Sequence, residues 1–128
     1  MNQEELIDLV RIYFSGVDGE DLDQILATLT NDCRFTVETH QVALVGHGEI
    51  SGMFDRLWLH HAAVQHDNFR YVVDADGGKV ATQFRVVNTF ENGDTVVKSN
   101  CNFFTVRNGL FDTVAVYMAG ENTLDRAE

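Results

Sequence analysis

From Phe69 to Met118 the chain alternates apolar and polar residues four times over, and each run is cut from the next by a short turn. Phe69, Tyr71 and Val73 alternate with Arg70 and Asp74, and Asp74-Ala-Asp-Gly-Gly follows. Val80 to Phe90 is a long run ended by Glu91-Asn-Gly-Asp, and Thr95 to Arg107 is another, ended by Asn108-Gly109 before Leu110 to Met118. Period-two patterning with turns this short predicts successive antiparallel strands, because parallel neighbours need a crossover of a dozen residues or more. Such strands must bury one face on something, and the first half of the chain supplies it.

That half is mostly helical. Leu6, Leu9, Val10, Tyr13 and Val17 recur at helical spacing. Asp21 is a good N-cap for a second helix from Asp21 to Thr30, with Leu22, Ile25, Leu26 and Leu29 on one side. Arg34 to Thr39 alternates as a strand, with Val42 to Val45 as its hairpin partner. Gly46 and Gly48 punctuate, and Glu49 to His60 forms a third helix carrying Ile50, Met53, Phe54 and Leu57. The fold class is therefore α+β: a strongly curved antiparallel sheet wrapped around about three helices, with a concave face able to enclose a cavity. At 128 residues it is one domain, with residues 120–128 expected as a mobile tail.

The formal charge of −11 repels phosphate backbones and anionic lipid, which argues against nucleic-acid and membrane partners. Two cysteines, Cys33 and Cys101, are too few for a disulfide framework. The N-terminus lacks a signal-peptide pattern and no apolar run reaches membrane-spanning length. A cytoplasmic protein with reduced thiols is expected. The five histidines show no zinc-ligand spacing, so no metal and no cofactor are expected.

The most informative junction is Tyr13 to Asp23, where the first helix ends, Gly16 and Gly19 loosen the backbone, and Asp18 is left between two helices. Tyr13-(four residues)-Asp18-(two residues)-Asp21-Leu22-Asp23, followed by Leu29 and Asp32, resembles the SnoaL-like branch of the nuclear transport factor 2 superfamily. Val45-Gly46-His47-Gly48-Glu49-Ile50 is similar to that family's entry into its third helix, and Gly109 to Tyr117 to its last strand. The resemblance spans nearly the whole chain. It implies a cone-shaped fold, usually dimeric, that hosts ketosteroid isomerase-like, dehydratase and polyketide cyclase chemistry; a fold alone does not choose among them.

The isomerase pattern puts its tyrosine donor at Tyr13. It puts its base at Val37 or Thr39 and its protonated acid at Cys101, and none of these carries a carboxyl group. The dehydratase pattern puts at Asp18 an aspartate that orients a histidine base, for which His66 is the candidate. A carboxylate on one ring nitrogen fixes the tautomer and raises the basicity of the other. Strict alternation sets His66 on the face opposite Phe69 and Tyr71, so only a bulge or an irregular entry turns it inward. The plainer reading is an exposed loop histidine, with Asp18 capping or solubilising the turn at Gly19. On an unbroken helix Asp18 lies about 140° around from Tyr13, at ~100° per residue.

Val86 and Asn88 share a strand face with Val80, Thr82, Phe84 and Phe90, and an amide there needs a partner or a ligand. On the next strand Val97, Ser99, Cys101, Phe103 and Thr105 are expected to line the cavity, with Trp58 as core or pocket wall. Val87, Thr89, Phe104 and Val106 would then face outward as apolar surface for a homodimer. The expectation is a cofactor-independent dehydratase or isomerase, with Asp18, His66 and Tyr13 catalytic. It would act on a small, mostly apolar carbonyl compound held by Val37, Thr39, Trp58, Val86, Asn88, Cys101 and Phe103. The alternative is a non-catalytic ligand-binding or assembly module.

Overall fold

The computed structural model describes residues 1–124. Helix α1 (Gln3–Asp18) opens with a capping box: the Asn2 side chain accepts from the Glu5 N–H at 2.8 Å, and the Glu5 carboxylate accepts from the Asn2 N–H at 2.9 Å. The helix runs unbroken through Gly16. A Cβ at that position would lie 2.8 Å from Ile25 Cγ1, so the glycine is there to let α2 (Leu22–Leu26) press against α1. Asp21 caps α2 as expected, accepting from the Gln24 N–H at 3.1 Å.

The second helix is shorter than its pattern predicts. Strand β1 begins at Leu29, not Arg34, and runs Leu29–Val37. The Thr28 carbonyl takes the Phe111 N–H and Leu29 pairs with Phe111, so the sheet claims these residues before the helix can. A 3₁₀ turn, Glu38–His40, leads to β2 (Val42–Val45), then α3 (Gly46–His60), β3 (Ala63–Asp74), β4 (Lys79–Thr89), β5 (Thr95–Arg107) and β6 (Leu110–Tyr117). His61, just past α3, is buried, with Nδ1 2.8 Å from the Leu57 carbonyl, as suits a histidine at a helix C-terminus.

The six strands form one curved sheet in the order β2-β1-β6-β5-β4-β3. Every neighbouring pair is antiparallel except β1–β6, which is parallel. The helices fill the concave side. Phe14, Phe35, Phe54, Phe104 and Phe111 are buried between the layers, with Leu6, Val10, Ile25, Ile50 and Met53 around them. This is the α+β layout expected from the patterning and the cone that the resemblance implies, with one parallel pair in a sheet expected to be antiparallel throughout.

Two registers decide which side chains enter that cone. The β4–β5 ladder is continuous, pairing Val80 with Phe104, Thr82 with Asn102, Phe84 with Asn100 and Val86 with Lys98. Residues paired across a ladder share a face. Lys98, Asn100, Asn102 and Phe104 therefore point inward, whereas Cys101 and Phe103 point outward. This reverses the expected face of β5. The expectation took a turn of even length. The Phe90 N–H instead bonds to the Asp94 carbonyl at 2.8 Å, leaving a three-residue loop, Glu91-Asn92-Gly93, closed by Gly93 at φ 89°. One residue of loop length moves every β5 side chain to the other face.

The β3–β4 ladder is interrupted. Asp67 pairs with Arg85 but Arg70 pairs with Gln83, so Asn68 and Phe69 together oppose Phe84. Asn68 takes the left-handed conformation at φ 56°, which asparagine tolerates better than most residues. The bulge cancels the alternation and places His66, beside Val86, on the same face as Phe69 and Tyr71.

Candidate functional site

Strand β3 is an edge of the sheet, so the N–H groups along its outer side have no strand to bond to. Asp18, the last residue of α1, meets one of them. Its Oδ2 accepts the His66 backbone N–H at 2.9 Å, and its Oδ1 lies 2.5 Å from His66 Nδ1. One carboxylate thus grips both the backbone and the ring of the same residue. The continuity of α1 matters here: Asp18 sits far enough around the helix from Tyr13 to reach the sheet edge, while Tyr13 points into the core.

With Nδ1 against the carboxylate, the neutral imidazole carries its proton there and leaves its Nε2 lone pair free. No protein group among the described residues bonds to Nε2. The ring packs against Phe14 (centroids 4.8 Å apart) and Phe84 (5.3 Å), and its side chain is 10% exposed against 28% for Asp18. The pair sits at a boundary between water and an apolar slot.

That slot is the cavity of the cone. Tyr13, Phe14 and Val17 of α1, Phe54 and Leu57 of α3, and Val64 and His66 of β3 form one side. Phe84, Val86 and Asn88 of β4, Asn100 and Asn102 of β5, and Val116 of β6 form the sheet side, and Met118, Thr123 and Leu124 close over it. The space between the walls is about 420 Å³, mouth included, but only about 30 Å³ admits the centre of a water molecule. Thr123 and Leu124, among the last described residues, form part of its lining.

Those residues, where a tail was expected, are held down to Leu124. Thr39 Oγ1 accepts the Met118 N–H, Asn100 Oδ1 accepts the Ala119 N–H at 3.1 Å, and His40 Nε2 lies 2.9 Å from the Gly120 carbonyl. The buried Lys98 ammonium donates to the Glu121 carbonyl. Residues 125–128 lie outside the described residues.

Tyr13 is 2% exposed, and no partner for its hydroxyl lies among the described residues. Burial, with a smaller contribution from the Cys33 thiol, pushes it well above the ordinary phenol range, so it remains a neutral donor. Asn88 and Asn102 are each 2% exposed, and each has a side-chain oxygen with no hydrogen-bond partner.

Of the residues expected at the cavity, Tyr13, His66, Val86 and Asn88 are there. Five are not. Val37 is wholly buried at the end of β1, and Thr39 lies on the 3₁₀ turn, bonded to Met118 and His40. The Trp58 indole donates to the Val17 carbonyl at 3.2 Å and stacks on Phe54, so it packs behind the wall. Cys101 and Phe103 fall on the outer face by the β5 register, and Phe103 is 52% exposed. The same register overturns the outward placement of Phe104, which is core. It also brings in Asn100 and Asn102, which the sequence reading missed. No decisive signal for them lay in the sequence, because Asn92-Gly93 suits loops of either parity. Among the described residues no three histidine, cysteine or acidic side chains gather to hold a metal. No described helix is long and apolar enough to cross a membrane.

Solved structures share this architecture. A proposed polyketide cyclase from Xanthomonas campestris superposes with a TM-score of 0.84 at 21% identity, over 91% of this chain and 92% of that one. An NTF2-like protein of unknown function from Burkholderia pseudomallei gives 0.80 at 18% identity, over 93% and 92%. TerC, co-crystallised with polyporic acid, gives 0.78 at 14% identity, over 88% and 89%. At such identities the likeness establishes the fold alone. Among curated proteins none matches the sequence. The sequence profile of the SnoaL-like domain matches residues 10–113, covering most of the chain from α1 into β6, and the protein belongs to that family.

Proposed function

We propose that the protein moves a proton beside a carbonyl group of a small, mostly apolar compound, as a dehydratase or isomerase needing no cofactor. The observation that carries this reading is the Asp18–His66 pair, with the free Nε2 of His66 on the cavity wall. Nε2 takes a proton from the carbon next to the carbonyl, leaving an enolate and an imidazolium. Asp18 stabilises the imidazolium. The Tyr13 hydroxyl or the Asn88 amide donates to the enolate oxygen. The imidazolium then returns the proton to a second carbon, which is isomerisation, or to a departing hydroxyl, which is dehydration. Entry of a ligand larger than a few waters requires Thr123 and Leu124 to give way.

Likeness to ketosteroid isomerase-like and polyketide cyclase-like folds supports the substrate class in outline. Outward Val72, Val97, Phe103 and Tyr117, each more than 40% exposed, support a homodimer through the outer sheet face.

The test is proton exchange at C1 of 2-tetralone in D₂O, followed by NMR. The wild type should accelerate exchange, and His66→Ala and Asp18→Asn should each lower the enzymatic rate by about 10²-fold or more. Equal rates in His66→Ala would remove the proposal. Absence of exchange in the wild type would favour the binding-module reading, which the narrowness of the slot also supports.

A further inference from the structure

Asn102 lines the cavity with an amide that the proton-transfer scheme leaves unused. Its neighbour Asn100 is already engaged, its oxygen accepting the Ala119 N–H. Asn102 has no such role: it is 2% exposed, lines the cavity, and its oxygen has no partner. Buried polar atoms are nearly always paired, so an orphan facing a cavity marks a place where something else supplies the bond.

The ladder fixes where that place lies. His66 stands beside Val86, and Asn88 follows two residues toward the hairpin. Asn102 stands beside Thr82, four residues the other way, and next to Val116 on β6. Four residues along the strand, about 14 Å, and two strand spacings across, about 10 Å, separate His66 and Asn102 before curvature and the reach of the two side chains bring them closer. Between the two ends stand Phe14 and Phe84, with Asn100 beside Phe84, its oxygen already taken by the Ala119 N–H.

We propose that Asn102 is the specificity-determining residue of this cavity, reading a hydroxyl group on the end of the ligand remote from His66. A hydroxyl suits because it both donates and accepts, so it meets the amide in either orientation about its side-chain torsion. A water held there is displaced without loss by a ligand hydroxyl, but not by hydrogen or fluorine. The ligand class is then a small, mostly apolar compound with an oxygen function at each end. This inference rests on the cavity being the ligand site proposed above, but not on any turnover.

The experiment is equilibrium binding by titration calorimetry of 2,6-dihydroxynaphthalene and of 6-fluoro-2-naphthol, which keeps one hydroxyl and replaces the other with an atom of similar size. Wild type should bind the dihydroxy compound about 10-fold more tightly, as one hydrogen bond in a buried site provides. Asn102→Leu, or Asn102→Ala if the leucine variant does not fold, should reduce that ratio to near one. Ser99→Ala, on the outer face of the same strand, should keep it, and because binding is read without turnover the result separates this inference from the proton-transfer reading. Equal binding of both probes by the wild type, no binding of either, a ratio that survives in Asn102→Leu, or one lost in Ser99→Ala would each overturn the proposal.

Discussion

Strands β3 and β5 flank the same strand, β4, and deliver their side chains to the cavity by opposite means. The β4–β5 ladder is smooth, and the parity of its loop alone sets which residues face in. The β3–β4 ladder is broken by a bulge, and the break is what turns His66 inward. A smooth strand turns a local choice at its loop into a property of its whole length. A bulged strand confines its choice to one point, so the residues on either side keep different phases. The cavity uses both: uniform amide spacing on β5, and on β3 a single imidazole ring set against the local alternation.

The largest expected effect tests the smooth side. Phe104 is 1% exposed and Phe103 52%. Phe104→Ala should cost about 3–5 kcal/mol in urea unfolding, as a large buried aromatic does. Phe103→Ala should change stability by no more than about 0.5 kcal/mol. Similar costs for the two would break the assigned parity of β5.

The next tests the bulge. Asn68→Val places a β-branched residue in the left-handed conformation and should destabilise by about 1–2 kcal/mol. Asn68→Gly should be nearly neutral, because glycine adopts that conformation freely. If valine is tolerated as well as glycine, the bulge is not held by backbone conformation at Asn68.

Thiol chemistry sharpens the comparison without perturbing the fold. Cys33 is wholly buried, and burial, with nearby Asp112 and Asp32, pushes its thiol up to about 12. Cys101 is half-buried on the outer face and is raised by burial alone. Native protein at pH 8 should react with a thiol reagent at Cys101 well before Cys33, with mass spectrometry locating the label. Only thiolate reacts, so both rates should rise with pH.

The smallest effect concerns the pair that brackets the bulge. Arg85 forms a two-pronged salt bridge to Asp67, at 2.7 and 2.5 Å, and holds its carboxyl below the usual range. A depressed folded-state value means stability that is present above the unfolded value, near pH 4, and is lost as pH falls through the folded one. Asp67→Asn should therefore flatten the acid side of the stability profile slightly while leaving it unchanged in shape near neutrality. The pair is exposed, so the change should be small and should shrink further in salt. A large loss at pH 7 would mean that Asp67 holds the bulge together.

Much of this was legible in the sequence because patterning reports local structure. The alternation of Phe69, Tyr71 and Val73, the N-cap at Asp21 and the heptad-like spacing from Leu6 to Val17 each translate directly into an element. The cone followed from their order. The pairing of Asp18 with His66 was legible only as a condition: alternation required a bulge, and where it falls, at Asn68, came from the structure. The face of β5 was not legible, because Asn92-Gly93 closes either a two-residue or a three-residue loop, and the strand pattern has apolar residues on both faces, with Phe103 beside Phe104. Nor were the contacts of Met118 to Leu124, since Lys98, Asn100, Thr39 and His40 meet that segment only after the sheet is assembled.

The parallel pairing of β1 with β6 has a consequence for synthesis. Strand β1 is complete at Val37, yet the strand that covers its inner edge ends at Tyr117. At ~5–20 residues per second, a ribosome takes roughly 4–16 s to make what lies between. Throughout that interval β1 and its hairpin partner β2 present Phe35 and Val37 beside an open backbone edge. The nascent chain is exposed to self-association for the whole of its elongation. Slowing translation should therefore lower the soluble yield of this protein more than that of a domain whose strands pair in the order they emerge.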